Sequence, residues 1–366
     1  MKTITLHNTN LSVPEIGMGC MRINSLETAD AVKEWIDTAL AHDINFFDHA
    51  DIYAKGQCEE LFGKALTPSL RDQIILQSKC AIRPGIAFDF SKEHILQSVD
   101  DILNRLRTDY LDILLLHRPD TLMEPEEVAD TFRTLKAAGK VRHFGVSNQT
   151  PMQIELLNKY LDEPLLINQL QFSIAHCPMI NSGINANMYN DSAINRDGGI
   201  LEYCRLKDIT IQAWSPFQYG MFEGVFLGNE KFPELNKVIN ELAEKYNVTD
   251  SAIAVAWILR HPAGIQTIIG TTNKDRIAQI SKASNVHLTR EEWYRLYMAA
   301  GNRLPEAWDL IQEGMITRTC IKSRKPFLFR FRRLEILKRQ NYAKNGLPKF
   351  ATRHSAQTGK FRKPNA

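Results

Sequence analysis

Eight short apolar runs separated by stretches of helical periodicity restrict the fold of this sequence more than any other feature. The first is "EIGMG", near residue 17. The others are "INFFD" (44–48), "IILQSK" (74–79), "LDILLLH" (111–117), "RHFGVSN" (142–148), "LLINQ" (165–169), "ITIQAW" (209–214) and "IQTIIG" (265–270). Buried strands that alternate with helices indicate a parallel sheet with right-handed crossovers. Eight such units over roughly 250–300 residues predict an α/β fold of the (β/α)8 TIM barrel type.

The stretches between the runs carry recognisable helix signals. Ser91 is a good N-cap for the apolar stripe that follows it, and Gly139 is a natural C-terminal stop. The hydrophobic spacing of 3.6 residues then predicts the main helices. These are 28–42, 92–106, 126–138 and 250–260.

The first 20 residues read as a short hairpin, with "KTITL" and "LSVPEIGMG" on either side of the turn "HNTN". A doubly wound Rossmann sheet is the alternative arrangement of parallel strands and helices. It requires GxGxxG directly after its first strand, and the nearest candidate, "GMGCMR", lacks the last glycine. We therefore favour the barrel.

The formal net charge of +3 conceals two oppositely charged parts. Residues 315–366 contain fifteen Lys and Arg and one Glu, whereas residues 1–314 contain thirty Lys and Arg and forty-one Asp and Glu. We expect a barrel domain over 1–314 and a basic tail over 315–366 that is disordered or partly helical. An accidental extension of the reading frame is a second explanation of the tail, and binding to nucleic acid or an anionic membrane a third. The first two are favoured, because the tail has no recognised nucleic-acid fold.

The chain has no run of 18 or more apolar residues and no long apolar stretch at its N-terminus. Its six cysteines are scattered and form no CxxC pair, which favours reduced thiols over disulfides or structural zinc. We therefore expect a cytoplasmic protein without a membrane span.

Chemically capable side chains stand at or just after the ends of the predicted strands. In a barrel these ends meet at one mouth, as do the loops that follow them. Two of those loops, 172–198 and 216–230, are long enough to suggest a binding role. The residues at the strand ends are Asp48 with Tyr53 just beyond, Lys79, His117, Ser147, Asn148, Gln169, Trp214, Ser215, Gly270 and Thr271.

Asp48, Tyr53, Lys79 and His117 form a set with a chemical meaning. A free tyrosine titrates near pH 10, and a nearby ammonium lowers the pKa of the phenol. A carboxylate can hold that ammonium, and a histidine can orient a substrate oxygen. Taken singly, each residue has a purely structural explanation as a rim, cap or loop residue. Together at successive strand ends they predict a phenol that exchanges a proton with an alcohol or alkoxide, with a hydride carrier as the complementary partner and no metal.

The sequence resembles the aldo-keto reductases from residue 1 to about residue 305. The resemblance implies NADPH bound across the mouth of a barrel without a Rossmann domain. It also implies Tyr53 as the general acid, Lys79 and Asp48 as its tuning pair and His117 as the group that orients the carbonyl. The motifs that carry it are "DHADIYAKGQCEELFGKAL", "IILQSK", "TDYLDILLLHRPD", "GKVRHFGVSN", "NQLQFS", "WSPF" and "IIGTTNKDRI".

The same resemblance implies a cofactor site. The carboxamide of the nicotinamide is expected to bind at Ser147, Asn148 and Gln169, and the nicotinamide ring is expected to stack on Trp214. The pyrophosphate is expected along the segment that contains Ser215, Pro216 and Gly220. For the 2′-phosphate the matching positions are Gly270, Thr271 and Arg276, with Lys274 between the last two. Many members have a lysine in place of Gly270, but the arginine still favours NADP over NAD.

Two pocket positions depart from better-known members. Arg118 replaces a tryptophan found in some of them, and Met21 stands where some place an aromatic residue. Arg118 could face a negatively charged carbonyl compound or pair with Asp120 or Asp51. The function we expect is NADPH-dependent reduction of a small aldehyde or ketone to an alcohol. The alternatives are a non-catalytic sensor or regulatory barrel that binds the cofactor and, third, a surface- or nucleic-acid-binding protein that uses the tail.

Overall fold

Eight parallel strands close into a barrel in the computed structural model, which describes residues 1–305. The barrel strands follow the chain in the order β3, β4, β5, β8, β9, β10, β11 and β12, and β12 pairs with β3 to complete the ring. In chain order the strands are β1 (Thr3–Thr5), β2 (Ser12–Pro14), β3 (Ile16–Gly19), β4 (Phe46–Asp48), β5 (Ile75–Cys80), β6 (Ile82–Arg83), β7 (Ala87–Phe88), β8 (Leu111–Leu116), β9 (Val141–Ser147), β10 (Ile167–Gln171), β11 (Thr210–Trp214) and β12 (Gln266–Ile269). The predicted (β/α)8 barrel is confirmed.

Helices flank the barrel and agree with the local sequence signals. The Ser91 hydroxyl accepts a hydrogen bond from the His94 amide at the start of the fourth helix, as a serine N-cap should. The helices are α1 (Ala29–Leu40), α2 (Gln57–Ala65), α3 (Pro68–Arg71), α4 (Lys92–Leu106), α5 (Pro125–Ala137), α6 (Pro151–Asn158), α7 (Pro178–Ile184), α8 (Ile200–Leu206), α9 (Pro233–Tyr246), α10 (Asp250–Leu259), α11 (Lys274–Ser281) and α12 (Arg290–Ala299).

The two-residue period of a strand decides which side chains enter the barrel. In β4, Phe47 points outward and packs against Trp35 of α1 and Phe62 of α2. Its neighbours Phe46 and Asp48 therefore point inward, and Phe46 packs in the interior apolar cluster. The same alternation brings the polar side chains at the strand ends to one mouth.

The N-terminal hairpin closes the opposite end of the barrel. Strands β1 and β2 pair antiparallel, as the sequence predicts. Leu6 and Val13 of this hairpin are fully buried and pack with Phe46, Ile75 and Ile113 from the barrel interior. Because this end is filled with apolar side chains, a site for polar chemistry is left to the carboxyl end of the strands.

Three features differ from the sequence expectation or lie beyond it. The polar segment 172–198 is not entirely irregular, since it contains α7 and a 3-10 turn at Asp191–Ala193. The short hairpin of β6 and β7 after the third barrel strand was not predicted. The predicted boundary at residue 314 and the tail 315–366 lie outside the described residues.

Within residues 1–305, no helix is both long and apolar enough to cross a membrane.

Candidate active site

A buried ion pair between Lys79 and Asp48 lies at the centre of the mouth. The Lys79 ammonium donates to both carboxylate oxygens of Asp48, at 2.7 and 2.8 Å, and to the backbone oxygen of His49 at 2.7 Å. Lys79 is fully buried. Burial lowers the pKa of Lys79, but the charges of Asp48 and Tyr53 and their hydrogen bonds outweigh this effect and raise it. The lysine is therefore held as a cation.

The Tyr53 phenol completes the coordination of that ammonium, since Lys79 Nζ lies 3.2 Å from Tyr53 Oη. Tyr53 begins a 3-10 turn after β4, in which Ala54 and Lys55 have positive φ angles of 47° and 56°. Burial raises the pKa of the Tyr53 phenol, and the positive charge of Lys79 lowers it by less than burial raises it. The lowered pKa expected from the sequence is therefore not found, because the phenol is withdrawn from water. Tyr53 is consequently protonated at neutral pH.

His117 lies beside this phenol, with its ring centroid 6.1 Å from that of Tyr53 and the two rings nearly perpendicular. Burial lowers the pKa of His117 well below its usual value, and the charges of Lys79 and Arg118 act in the same direction. His117 is thus a neutral imidazole that can donate one hydrogen bond. The four residues predicted for proton transfer lie together at one mouth.

A chain of buried glutamines supports the ion pair from below. Gln77 donates to Asp48 Oδ1 at 2.6 Å and to Gln212 Oε1 at 2.9 Å, and Gln212 donates in turn to Gln266 at 2.8 Å. Gln169 also donates to Gln212 Oε1, at 3.0 Å. Asp48 and Gln169 are therefore joined through two side chains across the barrel interior.

Sequence reasoning missed Gln77, Gln212 and Gln266. A signal for two of them was present: Gln77 lies two residues before Lys79, and Gln212 two residues before Trp214. The strand period places both on the same inward face as the strand-end residue that follows. A polar residue at such a position in a buried strand requires partners, because an unpaired buried amide is costly.

A second polar group lies at the ends of β9 and β11 and on the intervening strand β10. The Ser147 hydroxyl donates to the Gln169 backbone oxygen at 2.9 Å, and the Asn148 amide donates to Ser147 Oγ at 2.7 Å. The Trp214 indole N–H reaches Asn148 Oδ1 at 3.3 Å, and this indole is only partly buried. Asn148 and Ser215 both have left-handed backbones, with φ of 57° and 53°.

The remaining predicted residues lie along the loops after β11 and β12 and around the mouth. Pro216 and Gly220 are buried in the segment after β11, and Gly270 is exposed directly after β12. The Thr271 backbone oxygen accepts from the Trp35 indole at 2.9 Å, and Arg276 is exposed on the first turn of α11. In the same turn, Lys274 forms an ion pair with Glu34 at 2.7 Å.

The two residues predicted to line the substrate pocket differ in exposure, since Met21 is exposed and Arg118 is partly buried. Met21 is 41% exposed on the loop after β3. Arg118 is partly buried, with its guanidinium carbon 5.9 Å from the centroid of the Trp214 ring. No group of three or more His, Cys, Asp or Glu with metal-binding geometry occurs within residues 1–305.

A buried carboxylate next to the site, Glu59, was not anticipated, and it lies near the partly buried Asp51. Glu59 of α2 is fully buried and accepts from Ser78 at 2.6 Å and from Arg105 at 2.8 Å. Asp51, two residues before Tyr53, has one buried carboxylate oxygen without a partner among the described residues. Burial and the charge of Glu59 raise the pKa of Asp51 to about 7.

Outside the mouth, a surface cleft of about 420 Å³ lies between the outer helices, with Ile180, Leu201, His261 and Trp293 among its lining residues. None of the predicted site residues lines it. We therefore do not assign the active site to this cleft. The candidate site is defined by the buried polar groups at the barrel mouth.

Comparison with known proteins agrees with this architecture. The family model of the aldo/keto reductases matches residues 15–299. Oxidoreductase YcsN of Bacillus subtilis, which is described as uncharacterized, is 38% identical over 295 residues, covering 77% of this chain and 92% of that protein. A 6-dehydroglucose reductase of Novosphingobium aromaticivorans is 33% identical over 311 residues, covering 82% and 96%. The crystal structure of a Klebsiella pneumoniae aldo-keto reductase in complex with NADPH has a TM-score of 0.66 and 25% identity, covering 82% of this chain and 96% of that one.

The chain belongs to the aldo/keto reductase family, and it is an oxidoreductase by that membership. The family predicted from the sequence motifs is confirmed.

The raised pKa of Asp51 gives a pH-dependent prediction. Because the folded-state pKa, about 7, lies above the unfolded value of about 3.9, the wild type loses stability as the pH rises from about 4 to about 7. Asp51→Asn removes this titration. We expect the variant to be more stable than the wild type above about pH 7, by on the order of 1–2 kcal/mol for a partly buried carboxylate, and equal to it near pH 4.

Urea unfolding at several pH values measures this difference. The control is Asp109→Asn, which makes the same substitution at an exposed carboxylate in the loop before β8. A stability difference for Asp51→Asn that is the same at pH 4 and pH 8 would show that Asp51 does not titrate as described.

Proposed function

We propose that this protein uses NADPH to reduce small aldehydes or ketones to alcohols. The observation that carries the proposal is the contact of the Tyr53 phenol with the buried Lys79 ammonium, 3.2 Å apart at the barrel mouth. Membership of the aldo/keto reductase family supports it, as does the NADPH complex of the Klebsiella protein. When bound, NADPH supplies the hydride.

The polar and aromatic residues at the ends of β9 and β11 and on β10 offer groups that suit NADPH. Ser147, Asn148 and Gln169 offer hydroxyl and amide groups that match the carboxamide of a nicotinamide. The partly buried Trp214 indole offers a flat surface for its ring, which would fix one face toward the substrate. We assign the pyrophosphate to the segment of Ser215, Pro216 and Gly220, which follows β11 directly.

The first turn of α11 has an exposed cation that could bind a 2′-phosphate. Arg276 forms no ion pair among the described residues, and its backbone N–H donates to Asn273 Oδ1 at 2.9 Å. The ammonium of Lys274 is already paired with Glu34. We therefore assign the phosphate to Arg276, near Gly270 and Thr271, and infer a preference for NADP over NAD.

Proton transfer is assigned to Tyr53. Its raised pKa keeps the phenol protonated at neutral pH, so that it can donate to the oxygen of a carbonyl that is becoming an alkoxide. Lys79 then stabilises the phenolate, and Asp48 holds Lys79 in place. His117 is neutral, which suits a donor that orients the carbonyl oxygen.

A sensor barrel that binds the cofactor without turnover is the alternative. The complete set of Asp48, Tyr53, Lys79 and His117 at one mouth favours the enzyme, because cofactor binding alone does not need a buried ammonium beneath a phenol.

Removal of the Tyr53 hydroxyl separates these two functions. We expect Tyr53→Phe to lower kcat for NADPH-dependent reduction of a reactive test aldehyde by about 100-fold or more, since the proton donor is lost. The Kd of NADPH, measured by quenching of protein fluorescence, should change little. Tyr110→Phe is the matched control, because this ring packs against Arg71 and Arg142 on the outside of the barrel. If Tyr53→Phe retains wild-type turnover, Tyr53 is not the acid; tight NADPH binding without any wild-type turnover across a carbonyl panel would favour the sensor.

The cofactor preference is tested at Arg276. Loss of a charge-assisted hydrogen bond to phosphate should raise the KM for NADPH of Arg276→Ala roughly 10- to 100-fold while changing that for NADH little. Lys274→Ala is the matched control in the same helical turn, and its effect should be smaller because its ammonium is paired with Glu34. Equal increases of both KM values in Arg276→Ala would contradict the assignment of the 2′-phosphate.

A further inference from the structure

Arg118 is a cation at the barrel mouth without a counterion among the described residues. It follows His117 directly and is partly buried, with its guanidinium 5.9 Å from the centre of the Trp214 ring. Within residues 1–305 it forms neither an ion pair nor a side-chain hydrogen bond. Burial lowers the pKa of Arg118, and the Tyr53 phenol nearby acts in the opposite direction. The guanidinium nevertheless remains charged at neutral pH.

The two carboxylates that the sequence offered as partners, Asp120 and Asp51, form no ion pair with Arg118. Asp120 accepts from the backbone N–H of Phe90 at 2.9 Å and of Leu122 at 2.8 Å, using one oxygen for each. Asp51 lies beside Tyr53 and keeps a buried oxygen without a partner in the part of the chain that the structure describes. Neither carboxylate neutralises Arg118.

Three other cations of the barrel, two of them buried and one partly buried, are compensated by carboxylates. Lys79 pairs with Asp48, Arg71 with Asp112 and Arg105 with Glu59, each at 2.7–2.8 Å. Withdrawing a charge from water without a partner is costly, so unpaired buried charges are uncommon. Arg118 departs from this pattern at the place where a substrate would lie, next to the proton donor and the proposed carbonyl-orienting histidine.

We propose that Arg118 binds the carboxylate of the substrate, so that the enzyme prefers oxo acids, carbonyl compounds that bear a carboxylate, over their neutral analogues. This inference rests on the proposed function. A guanidinium offers a planar pair of N–H donors that matches the two oxygens of a carboxylate, and it stacks on aromatic faces as well. Arg118 lies near both the Trp214 ring and the Tyr53 phenol, so that one small molecule can present its carbonyl to Tyr53 and its carboxylate to Arg118.

A pair of aromatic aldehydes, one with a free carboxylate and one with its neutral methyl ester, measures this preference. 4-Carboxybenzaldehyde and methyl 4-formylbenzoate share a skeleton and a reactive aldehyde, and only the first is an anion. We expect the wild type to favour the acid over the ester by roughly 10- to 100-fold in kcat/KM, which corresponds to a charge-assisted hydrogen bond. Arg118→Met should bring the ratio close to one, chiefly through KM for the acid. Arg118→Lys, which keeps the charge without the planar fork, should give an intermediate ratio.

Two controls distinguish the possible causes. Arg22→Met removes an exposed positive charge from the loop after β3 and should leave the preference for the acid intact. The Kd of NADPH in Arg118→Met, measured by fluorescence quenching, reports folding and cofactor binding together. If this Kd rises by the same factor as KM for the acid, Arg118 serves the cofactor and the inference is overturned.

The remaining outcomes separate this inference from the proposed function. If the wild type reduces both aldehydes with equal kcat/KM, or if Arg118→Met leaves the ratio unchanged, carboxylate recognition by Arg118 is wrong while carbonyl reduction stands. If the wild type reduces neither aldehyde with NADPH, the proposed function fails, and this inference fails with it.

Discussion

The buried ion pair of Lys79 and Asp48 is the interaction on which the rest of the site depends. Moving an ammonium and a carboxylate out of water costs several kcal/mol per ion, and their attraction offsets this only with good geometry and further hydrogen bonds. Both conditions are met. The Lys79 ammonium also donates to the His49 backbone oxygen, and the Asp48 carboxylate also accepts from the Gln77 amide. The Tyr53 phenol lies 3.2 Å from the same ammonium, which ties its position to that of Lys79.

The barrel makes this arrangement possible by separating an apolar end from a polar one. The N-terminal hairpin and the inward residues around Phe46 fill one end, and most strands present a polar residue near the other. Side chains at neighbouring strand ends, such as Asp48 on β4 and Lys79 on β5, therefore meet although they lie far apart in the chain. The chain of glutamines from Asp48 to Gln169 links the proton-donor side of the mouth to the proposed cofactor side.

Much of the fold could be predicted from the sequence because its signals are local. The helix after Ser91 and the runs that became the eight barrel strands follow from caps and periodicity, and the barrel then determines which strand ends share a mouth. The contact of Gln77 with Gln212 joins residues 135 positions apart, and local patterns do not encode such a contact. The raised pKa values of Tyr53 and Asp51 depend on burial, which is known only once the side chains are packed.

The central role of the ion pair is tested most directly by a double-mutant cycle, with the free energy of unfolding measured in urea for the wild type, Lys79→Met, Asp48→Asn and the double variant. Lys79→Met alone leaves a buried carboxylate unpaired and should cost about 3–5 kcal/mol. The double variant should be substantially less destabilised than the sum of the two single variants. Additivity within about 0.5 kcal/mol would show that the two side chains are energetically independent, and it would contradict the dependence of the site on their pairing.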